Sequence, residues 1–166
     1  MIKLVRAGFE DIPVIQEIAG VTWRVTYSSI IPSGQVDYML DLFYSATSLK
    51  QQLKEGHEFI IVEVDESPMG FASFSPKLTG SPETYRLHKL YINPNCQGKG
   101  LGRILIGHVL ELIRALGATR LELNVNRANK AIGFYQRTGF SIIREEDIDI
   151  GRGYFMNDYV MEIGIV

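Results

Sequence analysis

Residues 90–106, LYINPNCQGKGLGRILI, set three glycines within five positions between two apolar runs, with Lys99 and Arg103 interleaved. A segment of this kind reads as a strand that turns sharply into a helix. The turn leaves several backbone N–H groups unpaired and pointing one way, which is the usual cradle for a phosphate. Around it the hydrophobic period alternates between that of strands and that of helices, which implies a mixed fold.

IKLVRA opens as a short strand, and Asp11 with Pro13 is expected to start a helix, the acid satisfying orphan N–H groups. Ile12, Ile15, Ile18, Ala19, Thr22 and Val25 then recur at helical spacing until IIPSG breaks the run. A second helix is expected from about Gln35. Thr47 is expected to cap a third, which ends near Gly56.

EFIIVEV and GFASFSP are strand-like and separated by the turn signal DESPMG, so they predict a hairpin. YRLHKLYIN adds a strand, and the glycine turn leads into a helix with Leu101, Leu105, Val109, Leu112, Ile113 and Leu116 on one face, stopped by Gly117. TRLELNVN alternates apolar and polar residues as a strand with one greasy side. NKAIGFYQRTGF is a helix closed by Gly139, and FSIIREEDIDI and YFMNDYVMEI are the last two strands. The sum is a single α/β (α+β) domain over residues 1–166, with a mostly antiparallel mixed sheet of six to seven strands flanked by about four helices.

Composition narrows the function. A formal charge of −2 gives no general attraction to nucleic acid or to an anionic membrane. The chain has no apolar run of spanning length, its N-terminus has no apolar signal core, and its single cysteine cannot form an internal disulfide, so a reducing cytoplasm is the expectation. Two phosphate binders are excluded by detail. A Walker loop needs a hydroxyl residue after its lysine, whereas Lys99 is followed by Gly100 and Leu101. A dinucleotide fold needs a glycine where Arg103 stands and an acid where the strand ends in NVN.

What remains is Q-x-x-G-x-G, Gln97 to Gly102, after an LYIN-P strand exit and before an amphipathic helix and NKAIGFYQRTGF. In these segments the chain resembles the GNAT superfamily of N-acetyltransferases. Trp23 and Tyr27 in the opening helices and the ending DIDIGRGYFMNDYVME also resemble a bacterial branch associated with polyamine acetylation.

The resemblance implies acetyl-CoA as co-substrate and no metal. It places the backbone of Leu90, Tyr91 and Ile92 along the pantetheine arm, and Gln97, Gly98, Lys99, Gly100, Leu101, Gly102 and Arg103 around the pyrophosphate. Asn129 resembles an asparagine that contacts the arm or the adenosine side, with a helix cap as its plain alternative.

The implied reaction is direct attack of a primary amine on the thioester through a tetrahedral intermediate. Tyr135 matches the tyrosine proposed to protonate the leaving sulfur. For the base that takes the amine's proton, His88 is the first candidate, since its pKa suits the task, and Glu122 the second. Trp23, Tyr27 and Tyr38 are candidate cation–π walls, and Glu145 belongs with Glu146, Asp147 and Asp149 to an acidic connection able to attract a polyamine.

A protein lysine or N-terminus is an alternative acceptor, and a non-catalytic acyl-CoA sensor an alternative of another class. The final strand allows a homodimer.

Overall fold

The computed structural model of the chain describes residues 1–80 and 82–166. Seven strands form one mostly antiparallel sheet in the order β1-β2-β3-β4-β5-β7-β6. They are β1 (Ile2–Arg6), β2 (Glu58–Val64), β3 (Ser67–Pro76), β4 (Thr84–Ile92), β5 (Arg120–Asn126), β6 (Ser141–Gly151) and β7 (Tyr154–Gly164). The described residues form five α-helices: α1 (Ile12–Tyr27), α2 (Ser33–Tyr44), α3 (Ala46–Lys54), α4 (Leu101–Ala115) and α5 (Ala131–Thr138). The mixed α/β class matches the sequence reading, with one helix more than the four expected. Contacts divide the chain into two compact units, Met1–Ser75 with Lys89–Val109, and Pro76–His88 with Leu110–Val166.

In the first unit, β1 and β2 pair antiparallel from Ile2↔Val64 to Arg6↔Ile60. β2 and β3 form the expected hairpin, but its turn is only two residues, Asp65 and Glu66, both at positive φ (49° and 69°). Two consecutive left-handed residues match the twist of the flanking strands. Pro68, expected in the turn, instead lies in β3, where the register shifts between Val62 and Glu63.

Asp11 precedes α1, yet its carboxylate accepts from the Gly8 N–H at 2.9 Å rather than from the helix it was expected to cap. Ser45, not Thr47, caps α3, its hydroxyl accepting from the Ser48 N–H at 3.1 Å. The core is built on Phe59, Phe71 and Phe74, each at most 1% exposed, with Leu101, Leu105, Ile106 and Val109 of α4 also buried. Burying each such side chain stabilises by about 1.5–3 kcal/mol.

In the second unit, β4 and β5 run parallel from Thr84↔Arg120 to Leu87↔Leu123, and β7 lies antiparallel to both β5 and β6. Gly139, at φ 117°, ends α5 by donating to the Tyr135 and Gln136 carbonyls, both at 3.1 Å. The left-handed closure is one that glycine adopts without steric cost. The acidic residues Glu145, Glu146, Asp147 and Asp149 lie on β6, the strand expected from FSIIREEDIDI, and β6 and β7 form a long hairpin with Arg152 and Gly153 in its turn (φ 55° and 78°). No helix among the described residues is long and apolar enough to cross a membrane.

Candidate functional site

The glycine turn forms at the end of β4. Asn93 accepts from the Asn95 N–H through its side chain (3.0 Å) and from the Cys96 N–H through its carbonyl (2.8 Å), which winds residues 94–96 into a single tight turn. Gly98 and Gly100 then take φ of 82° and 79°. Nothing lies within 4 Å of the point where either would carry a Cβ, so both face open space, and it is the left-handed backbone rather than crowding that favours glycine there.

Gly102 is different, since it already belongs to α4. The first helical bond runs from the Ile104 N–H to the Gly100 carbonyl at 3.1 Å, so the amides of Leu101, Gly102 and Arg103 precede the ladder at the positive end of the helix. Leu101, 2% exposed, anchors the helix, while Lys99 and Arg103 are exposed. Three amides, two left-handed glycines and two solvent-facing cations suit a pyrophosphate. Gln97 reaches back instead, its Nε2 donating to the Ile92 carbonyl at 3.3 Å.

Along β4, Leu90, Tyr91 and Ile92 are half-buried. The Tyr91 ring lies 5.8 Å from Trp23 and 6.0 Å from Phe71. Trp23 and Tyr27 are themselves interior, 4% and 7% exposed with rings 4.6 Å apart, and the Trp23 N–H donates to the Tyr44 hydroxyl at 3.3 Å. They form packed core behind Tyr91 rather than open walls, while Tyr38 of α2 is half-buried.

Burial pushes the Tyr44 hydroxyl far above its ordinary range. Lys89, on the next β4 position of the same parity as Tyr91, is 8% exposed and donates to Gln52 Oε1 at 2.7 Å. Burial pulls its pKa down from 10.5 to about 8.

The second unit gathers the titratable candidates. Glu122 of β5 is 2% exposed, and its carboxylate accepts from Lys77 (3.1 Å), Arg86 of β4 (3.0 Å) and Arg144 of β6 (3.4 Å). Its oxygens are thus engaged by three cations from β3, β4 and β6 or the segments beside them. His88 stands half-buried two residues beyond Arg86.

Asp158, which the sequence reading did not single out, and Glu146 of the acidic cluster lie on the same sheet face. Asp158 of β7 is 2% exposed and Glu146 is its cross-strand partner on β6. The Asn124 amide donates to both, at 3.3 and 3.2 Å, and Arg86 donates to the Asn124 oxygen. Burial pushes the Asp158 carboxyl up. Burial acts the same way on Glu146, but the Asn124 and Arg144 donors outweigh it and hold that carboxyl below its ordinary range.

Tyr135 is 8% exposed on α5, its ring edge-on to Phe140 at 5.6 Å. The Asn129 side-chain oxygen accepts from the Ala131 N–H at 2.8 Å, a local turn ahead of α5, whose N-cap is Lys130. Glu145 is exposed, 3.8 Å from Arg127, which also pairs with Asp147. Asp149 accepts from the Gly151 N–H at 2.9 Å. Among the described residues no group of three or more histidine, cysteine or acidic side chains is placed to hold a metal.

The profile of the Acetyltransferase (GNAT) family matches residues 22–140. Peptidyl-lysine N-acetyltransferase YjaB of Escherichia coli is 33% identical over 104 residues, 61% of this chain and 62% of its own. Spermidine N(1)-acetyltransferase of Thermoplasma acidophilum is 23% identical over 167 residues, covering 97% of this chain and 96% of its own. Among solved structures, the PaiA N-acetyltransferase of Thermoplasma acidophilum in complex with coenzyme A superposes with a TM-score of 0.83 over 99% of each chain, at 23% identity.

Proposed function

Starting from a chain that belongs to the GNAT acetyltransferase family, and is thereby an acetyl-CoA-dependent N-acetyltransferase, we propose that it acetylates a small primary amine of the polyamine class. The observation that carries the donor half is the exposed turn with left-handed Gly98 and Gly100, at the positive end of α4 and flanked by Lys99 and Arg103. The amides from Gly98 to Arg103 receive the pyrophosphate. The backbone of Leu90, Tyr91 and Ile92 pairs with the pantetheine arm like an added strand, and Asn129 flanks it.

The amine nitrogen attacks the thioester carbonyl carbon, a C–N bond forms, and collapse of the tetrahedral adduct breaks the C–S bond. A backbone N–H of the Leu90–Ile92 segment steadies the oxyanion. Tyr135 gives its proton to the departing sulfur, and the second proton that the nitrogen sheds as the amide forms passes to solvent, from which Tyr135 is reprotonated. The ammonium must first lose a proton, because an amine of pKa about 10 is mostly charged at neutral pH. His88 takes that role in preference to Glu122, whose oxygens are already engaged by Lys77, Arg86 and Arg144.

The polyamine acceptor is supported by the spermidine-acetylating relative and by the exposed acids of β6. Arg127 offsets part of that charge, so the attraction is modest. YjaB favours a second reading, in which the acceptor is a protein lysine. A single cysteine fits a reducing cytoplasmic setting.

The test is thermal unfolding with acetyl-CoA, ATP or NADH, followed by thiol release in the presence of spermidine or a lysine peptide. Acetyl-CoA alone at a hundredfold its Kd is expected to add about 2.7 kcal/mol. Equal shifts with ATP would defeat the donor assignment. Binding without thiol release from any amine would favour the sensor reading.

A further inference from the structure

Gly70 meets the end of β4 more closely than any side chain allows. A Cβ there would stand 2.7 Å from the Tyr91 carbonyl oxygen, 2.6 Å from Ile92 Cδ1 and 3.3 Å from Ile92 Cα. Its φ is not positive, so conformation does not demand glycine at this position; close approach does. The Ile92 methyl could rotate away, but the carbonyl is backbone and must move with its strand.

The same place carries the β-bulge. Val62 pairs with Gly70 and Glu63 with Pro68, which leaves Met69 as the extra residue of β3. The Met69 carbonyl accepts from the Asn93 N–H at 2.7 Å, and its sulfur lies 3.2 Å from that of Cys96. Bulge and glycine therefore grip β4 from one side over Tyr91, Ile92 and Asn93, just before the glycine turn.

We propose that Gly70 and the Met69 bulge are positioning elements for the acyl donor: they fix the height of the Tyr91–Ile92 peptide, and with it the place where the pantetheine arm and thioester lie. This rests on the reading of Leu90–Ile92 as the strand that pairs with the arm. Neither residue touches the donor. Each acts through the β4 backbone, so a change at Gly70 alters recognition of the arm while sparing recognition of the phosphates at Gly98–Arg103.

The experiment compares binding of acetyl-CoA with that of 3′-phosphoadenosine 5′-diphosphate, which has the pyrophosphate and no arm, to wild type, Gly70→Ala and Asn93→Pro. Asn93 has φ −49°, near the value proline imposes, so the second substitution removes the N–H to Met69 with little strain. Asn93→Ala, which keeps that N–H, is its reference. Acetyl-CoA affinity is expected to fall at least tenfold in Gly70→Ala, and in Asn93→Pro relative to Asn93→Ala, with the armless nucleotide held within twofold.

Gly70→Ala/Ile92→Val removes the clash with the methyl but not that with the carbonyl, and is expected to stay weak. Full recovery in that double variant would overturn the proposal, as would equal losses for both ligands. If Gly70→Ala does not fold, the Asn93 pair decides alone. A wild type that fails to bind acetyl-CoA sinks the donor reading itself, whereas a wild type that binds it and variants that bind it equally sink only the positioning.

Discussion

Lys89 offers a test of the first unit's interior that needs no ligand. Its ammonium is enclosed by the Gln52 amide oxygen at 2.7 Å and by the Tyr44 and Phe59 rings, with centroids at 5.3 and 5.7 Å. The rings and the amide do not replace bulk hydration, and burial lowers its pKa from 10.5 to about 8. In the unfolded chain the same amine titrates near 10.5. Below pH 8 both states carry the proton, and the full penalty of burying a charge is present. Between pH 8 and 10.5 the unfolded state holds more protons than the folded one, so stability contributed by this residue rises with pH. Above 10.5 both states are neutral and the penalty is gone. At about 1.36 kcal/mol for each tenfold change in acidity, the gap between 10.5 and about 8 corresponds to about 3 kcal/mol.

Burial and then the Lys89 charge push His57 below its ordinary 6.5, and burial pushes Tyr44 above the window. Exposed tyrosines and lysines act equally on a Lys89→Met variant, so the difference between the two proteins isolates one amine. The assay is urea unfolding from pH 7 to 10.5, followed by fluorescence of the single tryptophan, Trp23, which is 4% exposed when folded. Wild type is expected to gain about 3 kcal/mol relative to Lys89→Met across that range. Two parallel curves would refute the reasoning and mean that Lys89 is charged and solvated in the folded chain.

Glu122→Ala strands Lys77, Arg86 and Arg144 around a buried gap, so it is expected to cost about 3–5 kcal/mol in urea unfolding, and a loss under 1 would show the cations relaxing into water. Tyr135→Phe keeps the ring contacts with Phe134 and Phe140. Steady-state kinetics should show its turnover falling about a hundredfold with acetyl-CoA affinity unchanged, and unchanged turnover would remove Tyr135 from the chemistry. Gly100→Ala forces a side chain to φ 79°. Strain of about 1–2 kcal/mol should appear in its thermal unfolding, together with weaker binding of both acetyl-CoA and the armless nucleotide.

Local signals carried most of the architecture. Alternation located β5, helical spacing located α1 and α4, and glycines marked the ends of α4 and α5, because each depends on residues only a few positions apart. The caps were less legible. Ser45 and Thr47 are both competent hydroxyls two residues apart, and only the backbone bend at Ser45 (φ −61°, ψ 153°) decides between them. Asp11 was drawn off by Gly8, a partner on its other side.

Partners across the sheet were not legible at all, and this is where the candidate site departs most from expectation. Alternation put Glu122 on the polar side of β5 but could not say that Arg86, Lys77 and Arg144, between 22 and 45 residues away, converge on it. The same blindness hid Asp158, which follows Asn157 in a stretch read only as a closing strand. A strand's own sequence tells which face a side chain takes; whether that face is water, a cation or a second acid is fixed by register with strands far away in the chain. For that reason the glycine turn, made from consecutive residues, was visible in the sequence. The residues proposed to handle protons, His88, Glu122 and Tyr135, sit on β4, β5 and α5, and His88→Gln beside Glu122→Gln in steady-state kinetics is the direct comparison. If His88 is the base, its variant loses far more turnover than Glu122→Gln, because the Glu122 oxygens are already engaged by three cations.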